Sequence, residues 1–405
     1  MSSRVSRLRK SFGFLMVLWL GLGIIGQVFA DTAFVGEKAT DQLKFGGDLR
    51  VRHEDFFNKG VNAVDRHRER FRLRFGVTGQ LQDFTAGFKI ASGTGEQTST
   101  NQTFGNAFNQ KGLYIDQAYV QWKALESLKL TGGRMPNPIW RTYSSDVMWD
   151  GDINPEGYAE QLTLPAGDRL SLFANFAQLP INESSSSNGD PWVFAHQIGA
   201  NTKLAEDTTA RFGITYYGFI NERKGVFLST AAADSANIQE ANTRVAGSAQ
   251  LASAFQIIDL TAELATHVGP LPLSVQGDYV KNMAPGNALL AAAKANGQTQ
   301  GYQVGFVVGK AKTQGNWEFA YFRKWLQANA TISDWADSDF GNGGTNRKGH
   351  IFWLAYAVRD YVTVQGKYFI TSKLNPELNS STPFGATHNN FGDINRFQAD
   401  VVVKF

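Results

Sequence analysis

Apolar and polar residues alternate along many short stretches of this chain, and the last stretch has the simplest pattern. Between Arg396 and Phe405 every second residue is apolar: Phe397, Ala399, Val401, Val403 and Phe405. The residues between them are polar apart from Val402. A period of two predicts a β-strand with one apolar and one polar face. We interpret this stretch as the closing and assembly strand of a membrane barrel, with Phe405 at the membrane interface.

The clearest alternation lies in residues 68–81, where most polar positions are arginines. One face carries Phe71, Leu73, Phe75, Val77 and Leu81, and the other carries Arg68, Arg70, Arg72 and Arg74. The earlier stretch 43–53 places Asp48, Arg50 and Arg52 on its polar face. Unpaired cations are too costly to bury in an apolar core. These arginines therefore need either water or acidic residues opposite them, which the lumen of a barrel can provide.

The same alternation recurs between short turns and long polar loops, and it predicts sixteen strands. Their ranges are 43–53, 68–81, 84–91, 112–123, 127–134, 157–164, 169–179, 192–204, 208–219, 256–266, 273–282, 301–310, 317–327, 349–359, 361–371 and 396–405. The predicted fold class is all-β: a transmembrane antiparallel up-and-down β-barrel of about 16 strands, with short periplasmic turns and long extracellular loops. A barrel of this size encloses water rather than a packed core. Residues 220–255 are left open between a long loop, short helices and one extra hairpin.

The first thirty residues predict a secretory signal peptide. Three arginines and a lysine lie within residues 4–10, and an apolar stretch of about 14 residues follows. Residues 28–30 read Val-Phe-Ala, so Asp31 would begin the mature chain. An uncleaved membrane anchor is the alternative, and the short, glycine-interrupted apolar stretch argues against it. We expect a signal peptide at 1–30, a short periplasmic N-terminal lead at 31–42 and the outer-membrane barrel at 43–405.

Composition removes several other classes of protein. The signal holds four of the 39 Lys and Arg and none of the 36 Asp and Glu, so the mature chain is nearly neutral and gives no reason to expect nucleic-acid binding. The absence of cysteine excludes disulfides and a lipid-anchored cysteine. The six histidines are scattered, and there is no Gly-x-Ser-x-Gly or phosphate-binding glycine loop. We therefore predict no catalytic residues, no cofactor and no metal site.

The segment 135–156 is the candidate constricting loop. Two prolines stiffen its first part, and it carries the acids Asp146, Asp150, Asp152 and Glu156. Folded into the lumen, it would narrow the pore and place these acids opposite Arg50, Arg52, Arg70, Arg72 and Arg74. Opposed charges of this kind select ions and small polar solutes. The alternatives are an exterior loop with solvated acids and a calcium loop, which lacks glycine at its sixth and glutamate at its twelfth position.

Several longer motifs resemble those of the putative porin family of Gram-negative outer membranes. They are Ser99–Thr103, Asp116–Tyr119, Gly133–Pro138, Trp149–Gly157, Gly301–Tyr302, Gly315–Trp317, Asp337–Asn346 and Lys348–His350. The motifs lie between residues 99 and 350, and the resemblance covers nearly the whole of residues 43–405. The resemblance implies a β-barrel channel for small hydrophilic solutes, without catalytic residues. It implies no particular substrate, so the lumenal assignments rest on the residues alone.

We therefore expect an outer-membrane porin with passive diffusion of ions and small hydrophilic solutes and an anion bias from the lumenal arginines. One alternative is a substrate-selective channel for phosphate or an organic acid. Another is a non-conducting structural or adhesive surface barrel. The expected partners are outer-membrane lipids, periplasmic chaperones, the barrel-assembly machinery, small hydrophilic solutes and further copies of the chain in a homotrimer. No nucleic acid is expected.

Overall fold

The computed structural model describes residues 43–59, 64–183, 185, 189–222, 242, 251, 253–284, 297–375 and 392–405. Within them the chain forms one closed antiparallel barrel of sixteen long strands. The predicted signal peptide and periplasmic lead lie outside the described residues. So does most of the stretch 220–255, where the choice between loop, helix and hairpin was left open.

The strands follow one another along the chain. They are β1 (Leu43–Lys59), β2 (Arg66–Leu81), β3 (Phe84–Ser92), β4 (Gln102–Thr103), β5 (Leu113–Leu125), β6 (Leu128–Arg134), β7 (Glu156–Pro165), β8 (Leu170–Pro180), β9 (Trp192–Ala205), β10 (Thr208–Ile220), β11 (Gln256–Val268), β12 (Leu271–Asn282), β13 (Gln300–Gly309), β14 (Trp317–Leu326), β15 (Arg347–Arg359), β16 (Val362–Lys373) and β17 (Asp393–Lys404). The two-residue β4 is not part of the barrel wall; it lies in the loop between β3 and β5 and pairs with β2. Short 3₁₀ turns occur at Asn106–Phe108 and Ser333–Trp335.

Each wall strand pairs with its neighbours along the chain, and β17 pairs with β1 to close the barrel. The closing register places Asp48 opposite Lys404 and Arg52 opposite Asp400. The predicted sixteen-stranded antiparallel barrel is thus confirmed. Closure gives every edge strand a partner, which a sheet in lipid requires because no water is present to satisfy open backbone groups.

One predicted boundary is wrong by several residues. The first strand was expected to end at residue 53, but β1 continues to Lys59. The added part still alternates, since Glu54 and Phe56 face inward. Glu54 pairs with Arg68 and Arg396, and the Phe56 ring lies 4.9 Å and 4.6 Å from their guanidinium carbons. These contacts extend the strand through a polar sequence that resembles a loop.

The two faces of the wall differ as the alternation predicts. Outward positions such as Leu49, Val51 and Val401 are apolar and exposed, whereas the intervening inward positions are polar.

In the part of the chain that the structure describes, no helix has the length and apolar character needed to span a bilayer.

The larger of two buried apolar clusters consists of residues from two loops packed against inward-facing strand residues. One loop is 135–155, between β6 and β7, and the other is 327–346, between β14 and β15. The indoles of Trp149 and Trp335, one from each loop, stack with ring centroids 4.6 Å apart. Asn242 donates to the carbonyl oxygens of Ala328 and Thr331, in the 327–346 loop, at 2.7 and 2.8 Å. The two loops therefore pack as one apolar unit.

The closing seam depends on one residue without a side chain. Gly47 donates its N–H to the Phe405 carbonyl at 2.9 Å and accepts from the Phe405 N–H at 3.2 Å. A Cβ at position 47 would lie 2.2 Å from the Arg74 carbonyl oxygen and 2.8 Å from the Phe405 ring. β1 can therefore approach β2 and β17 closely only because residue 47 is glycine.

We predict that Gly47→Val lowers the stability of the barrel by about 1–3 kcal/mol, since overpacking costs that much. The measurement is the urea midpoint of the lipid-refolded protein, followed by tryptophan fluorescence. Gly277→Val in β12 is the matched control, because a Cβ there meets no atom within 4 Å. Equal midpoints for the two variants would contradict the proposed role of the seam.

Candidate functional site

Inward-facing arginines from three adjacent strands form what we call the arginine wall. Its members are Arg50 and Arg52 of β1, Arg68, Arg70, Arg72 and Arg74 of β2, and Arg396 of β17. Alternation places each set on one face of its strand, and the closing seam brings the three strands side by side. The wall therefore runs along the seam on the inside of the barrel.

Acids of the same strands neutralise much of this wall. Asp48 accepts from Arg72 Nη2 at 2.7 Å and from Arg74 Nε at 2.7 Å. Asp400 accepts from Arg52 Nε at 2.7 Å and from its Nη2 at 2.8 Å. Pairing of this kind is what allows these cations to be buried, because a buried charge without a partner is strongly destabilising.

Glu54 is the most heavily paired acid of the wall. It is fully buried and accepts from Arg68, Arg396 and Gln398, with Arg70 Nη1 3.7 Å away. Arg52 Nη1 lies 3.9 Å away as well, so one carboxylate lies among four arginines. Removing Glu54 would leave several cations without their common partner.

The 135–155 loop is bound to strands around much of the barrel. Gln197 of β9 holds the backbone of Trp140 through two hydrogen bonds of 2.8 Å. Ser144 Oγ donates to Gln276 Oε1 of β12 at 2.7 Å. Trp149 Nε1 donates to Tyr217 Oη of β10 at 3.2 Å. Asn154 Nδ2 donates to Asp116 Oδ1 of β5 at 2.8 Å. These partners all lie on inward positions, so the loop lies inside the barrel.

The 327–346 loop supplies the contact between the loop unit and the arginine wall. Asp339 accepts from Arg52 Nη1 at 3.3 Å and from Arg396 Nη2 at 2.7 Å. The neighbouring Ser338 N–H donates to Asp150 Oδ2 at 2.8 Å, which ties this loop to the 135–155 loop. Lys324, at the end of β14, is fully buried and donates to the Asp146 carbonyl at 3.0 Å.

The loop acids have displaced ionisation. Burial raises the pKa of Asp146 to about 6, with Arg141 opposing this shift. Burial, with the charges of Asp146 and Asp152, raises the pKa of Asp150 well above its usual value. Burial acts in the same direction on Asp339, but Arg396 and Arg52 outweigh it and hold the pKa of Asp339 well below its usual range. Asp339 is therefore ionised beside the wall, whereas the surroundings of Asp146 and Asp150 favour their protonated forms.

Three cavities adjoin the 135–155 loop. One of about 430 Å³ extends from the loop to the ends of β8 and β9, and one of about 420 Å³ reaches Arg74 and Lys89; both are lined by Asp152 and Asn154. A third, of about 140 Å³, lies between Arg50 and Arg72 on one side and the loop acids on the other. The 135–155 loop thus separates the two larger cavities and leaves the 140 Å³ cavity next to the arginine wall.

The four predicted acids of the constricting loop lie at different distances from the arginine wall. Asp152 lies nearest the wall, with its Oδ1 3.9 Å from Arg74 Nη1. Asp146 pairs with Arg141 of its own loop at 2.8 Å, and Asp150 lines the 140 Å³ cavity. Glu156 lies apart from the wall and pairs with Arg134 at 2.8 Å, beside the 430 Å³ cavity. Whether these residues line the permeation path remains a prediction.

Several partners of the wall were missed in the sequence. The alternation placed Asp48 on the same face as Arg50 and Arg52 but did not identify it as the partner of Arg72 and Arg74, and Glu54 lay one residue beyond the predicted end of the strand. Asp339 gave no such signal, because it is 287 residues from Arg52 in the chain. Among the described residues, no group of three or more acids and histidines is arranged to hold a metal ion.

A comparison with protein families identifies the family of this chain. The model of the family described as Putative porin matches residues 58–246 and 228–405. The chain belongs to this porin family. It is therefore a channel-forming barrel of the bacterial outer membrane. No curated protein matches the sequence significantly.

Solved structures agree with this porin on the fold. The OprB protein of Pseudomonas putida, in a high-pH structure, matches with a TM-score of 0.53 at 10% identity, over 90% of this chain and 95% of that chain. The OmpF protein of Salmonella typhi, in a complex with daunomycin, matches with a TM-score of 0.51 at 11% identity, over 90% of this chain and 97% of that chain. Identities this low show a shared barrel architecture and nothing finer.

The raised pKa of Asp146 predicts a pH dependence of stability. Its pKa in the folded barrel, about 6, exceeds the ordinary value of 3.8, so its stabilising contribution is present below about pH 4 and is lost as the pH rises through 6. Between these pH values the wild type should lose stability relative to Asp146→Asn, measured as urea midpoints. The control is Asp207→Asn in the exposed turn between β9 and β10. A difference between wild type and Asp146→Asn that stays constant with pH would contradict the assignment.

Proposed function

We propose that this porin allows passive diffusion of ions and small hydrophilic solutes through the gap between the arginine wall and the 135–155 loop. The observation that supports this is the approach of Asp152 to Arg74 across 3.9 Å, with cavities on both sides of the loop. Opposed charges at a narrow point select solutes by size and by field. The 135–155 loop is then the constriction of the channel.

We further propose that the constriction favours anions. Arg50 is a weakly neutralised member of the wall, with its nearest acid, Asp400, 3.8 Å away. It lines the 140 Å³ cavity together with Arg72 and Lys367. The acids on the other side include Asp146 and Asp150, whose raised pKa values reduce their negative charge. Three further acids, Asp152, Asp337 and Asp339, also line this cavity, so the proposed bias rests on the weak pairing of Arg50 rather than on an excess of positive charge. Selection for phosphate or an organic acid would be a sharper form of the same bias.

A non-conducting barrel is the second candidate function. The observation that favours it is the burial of the 327–346 loop, in which Asn329, Ile332 and Phe340 are almost inaccessible to solvent. A loop packed this tightly inside the lumen could act as a plug. An adhesive or structural surface protein would tolerate a plug, whereas a porin would not.

Export and assembly complete the proposal. Residues 1–30 would be removed after export, and periplasmic chaperones and the barrel-assembly machinery would deliver the chain to the membrane. A homotrimer is supported by an apolar depression of about 460 Å³ on the outer face of β7–β10. Two small residues, Ala174 and Ala200, line it among larger apolar side chains, which leaves room for a neighbouring barrel wall to approach.

Replacing Arg50 by Gln should shift the reversal potential in a KCl gradient toward that of a cation-selective channel. This change removes a lumenal cation without leaving an acid unpaired, because Asp400 keeps its two bonds from Arg52. The matched control is Arg359→Gln, which removes the same charge at the exposed end of β15. Replacing Arg70, Arg72 and Arg74 together should shift the potential further, at the expense of leaving Asp48 unpaired.

A reversal potential unchanged in Arg50→Gln and in the triple variant would contradict the arginine control of selectivity. The same shift in Arg359→Gln would show a general effect of surface charge instead. Folded protein without any conductance would favour the plugged barrel.

A further inference from the structure

Arg211 is a lumenal cation outside the arginine wall. It lies on the inward face of β10, eight strands from β1 in a ring of sixteen, and so half-way round the barrel. Its guanidinium carbon lies 4.3 Å from the ring centroid of Trp140 and 4.7 Å from that of Phe173. Among the described residues Arg211 has no hydrogen-bond partner and no ion pair, and its Nε is buried without a partner. The side chain is nevertheless partly exposed.

The two rings are held in place by other residues than Arg211. Gly213 and Gly199 make room for them: a Cβ would lie 3.1 Å from the Trp140 ring at position 213 and 2.2 Å from the Phe173 ring at position 199. Gln197 fixes the Trp140 backbone with its two hydrogen bonds. The aromatic slot is therefore preorganised, and Arg211 occupies it without having to order it.

The acid opposite Arg211 acts on it by charge at longer range but forms no hydrogen bond or ion pair with it. Glu263 stands directly opposite Arg211 in the pairing of β10 with β11. Its carboxylate accepts instead from Ser274 Oγ at 2.6 Å and from Gln276 Nε2 at 3.4 Å. The hydrogen-bonding edge of the guanidinium is thus left for a ligand, in contrast to Arg72 and Arg74, which share Asp48.

We propose that Arg211, Trp140 and Phe173 form a transient binding site for small organic carboxylates. A guanidinium presents a planar pair of donors that matches a carboxylate better than a spherical anion. The half-buried Trp140 ring offers an apolar surface to the body of an organic acid, which inorganic phosphate or chloride lacks, while the buried Phe173 ring packs against the guanidinium. A single cation gives the weak binding from which a solute can leave again, as transport requires. The site rests on the proposed function, because solutes reach it only through the lumen.

The test uses benzoate as the probe on the folded, full-length mature protein. Benzoate should reduce the single-channel chloride current of the wild type, and Arg211→Gln should raise the half-blocking concentration about tenfold, as loss of a charge-assisted hydrogen bond implies. Arg211→Lys keeps the charge but not the planar donor pair, so it should block at an intermediate concentration. Arg359→Gln is the control and should behave as the wild type. Inorganic phosphate should block more weakly than benzoate.

A binding measurement that does not depend on ion current tests this site independently of the proposed function. Saturation-transfer NMR should detect benzoate on the wild type and lose the signal in Arg211→Gln. If the wild type binds benzoate in this way but conducts nothing, the channel proposal fails and the site stands. Conducting channels with the same benzoate block in Arg211→Gln and Arg211→Lys as in the wild type would overturn the site. Equal block by phosphate would overturn the assignment to organic acids.

Discussion

Closure of the backbone hydrogen bonds at the β1–β17 seam is the constraint on which the rest of this structure depends. A bilayer offers no water to an open strand edge, so the first and last strands must pair. The same seam brings β1, β2 and β17 together and so assembles the arginine wall with its acids. Arg52 faces Asp400 across the closing register itself. The pairing of β1 with β17 therefore both closes the barrel and assembles its charged inner face.

Charge pairing then decides which groups remain free to act on solutes. The wall arginines that share Asp48, Glu54 and Asp400 are stabilised in the folded state and largely neutralised. Arg50, beside the 135–155 loop, is paired only weakly, and Arg211 lies in its aromatic slot without an ion pair among the described residues. In the proposed account the paired arginines hold the lumen in shape, and the weakly paired ones provide its preference for anions.

The alternation of apolar and polar residues was enough to predict the sixteen strands, because lipid on one side and the lumen on the other impose a period of two. It was not enough where long-range contacts extend a strand, as with Phe56 between two arginines. Part of the site was equally accessible, since Asp48 lies on the same face as the predicted arginines. The approach of Asp339 to Arg52, and of Trp140 to Arg211, depends on how long loops fold across the barrel. No local sequence pattern indicates these long-range contacts.

Single-channel current across a planar bilayer, with the purified mature protein in a KCl gradient, tests the central claim most directly. The claim is that solutes pass between the arginine wall and the 135–155 loop. It predicts stepwise conductance with a reversal potential on the anion side. Folded, heat-modifiable protein that gives no conductance would contradict the channel. Conductance with a reversal potential on the cation side would contradict the control by arginines.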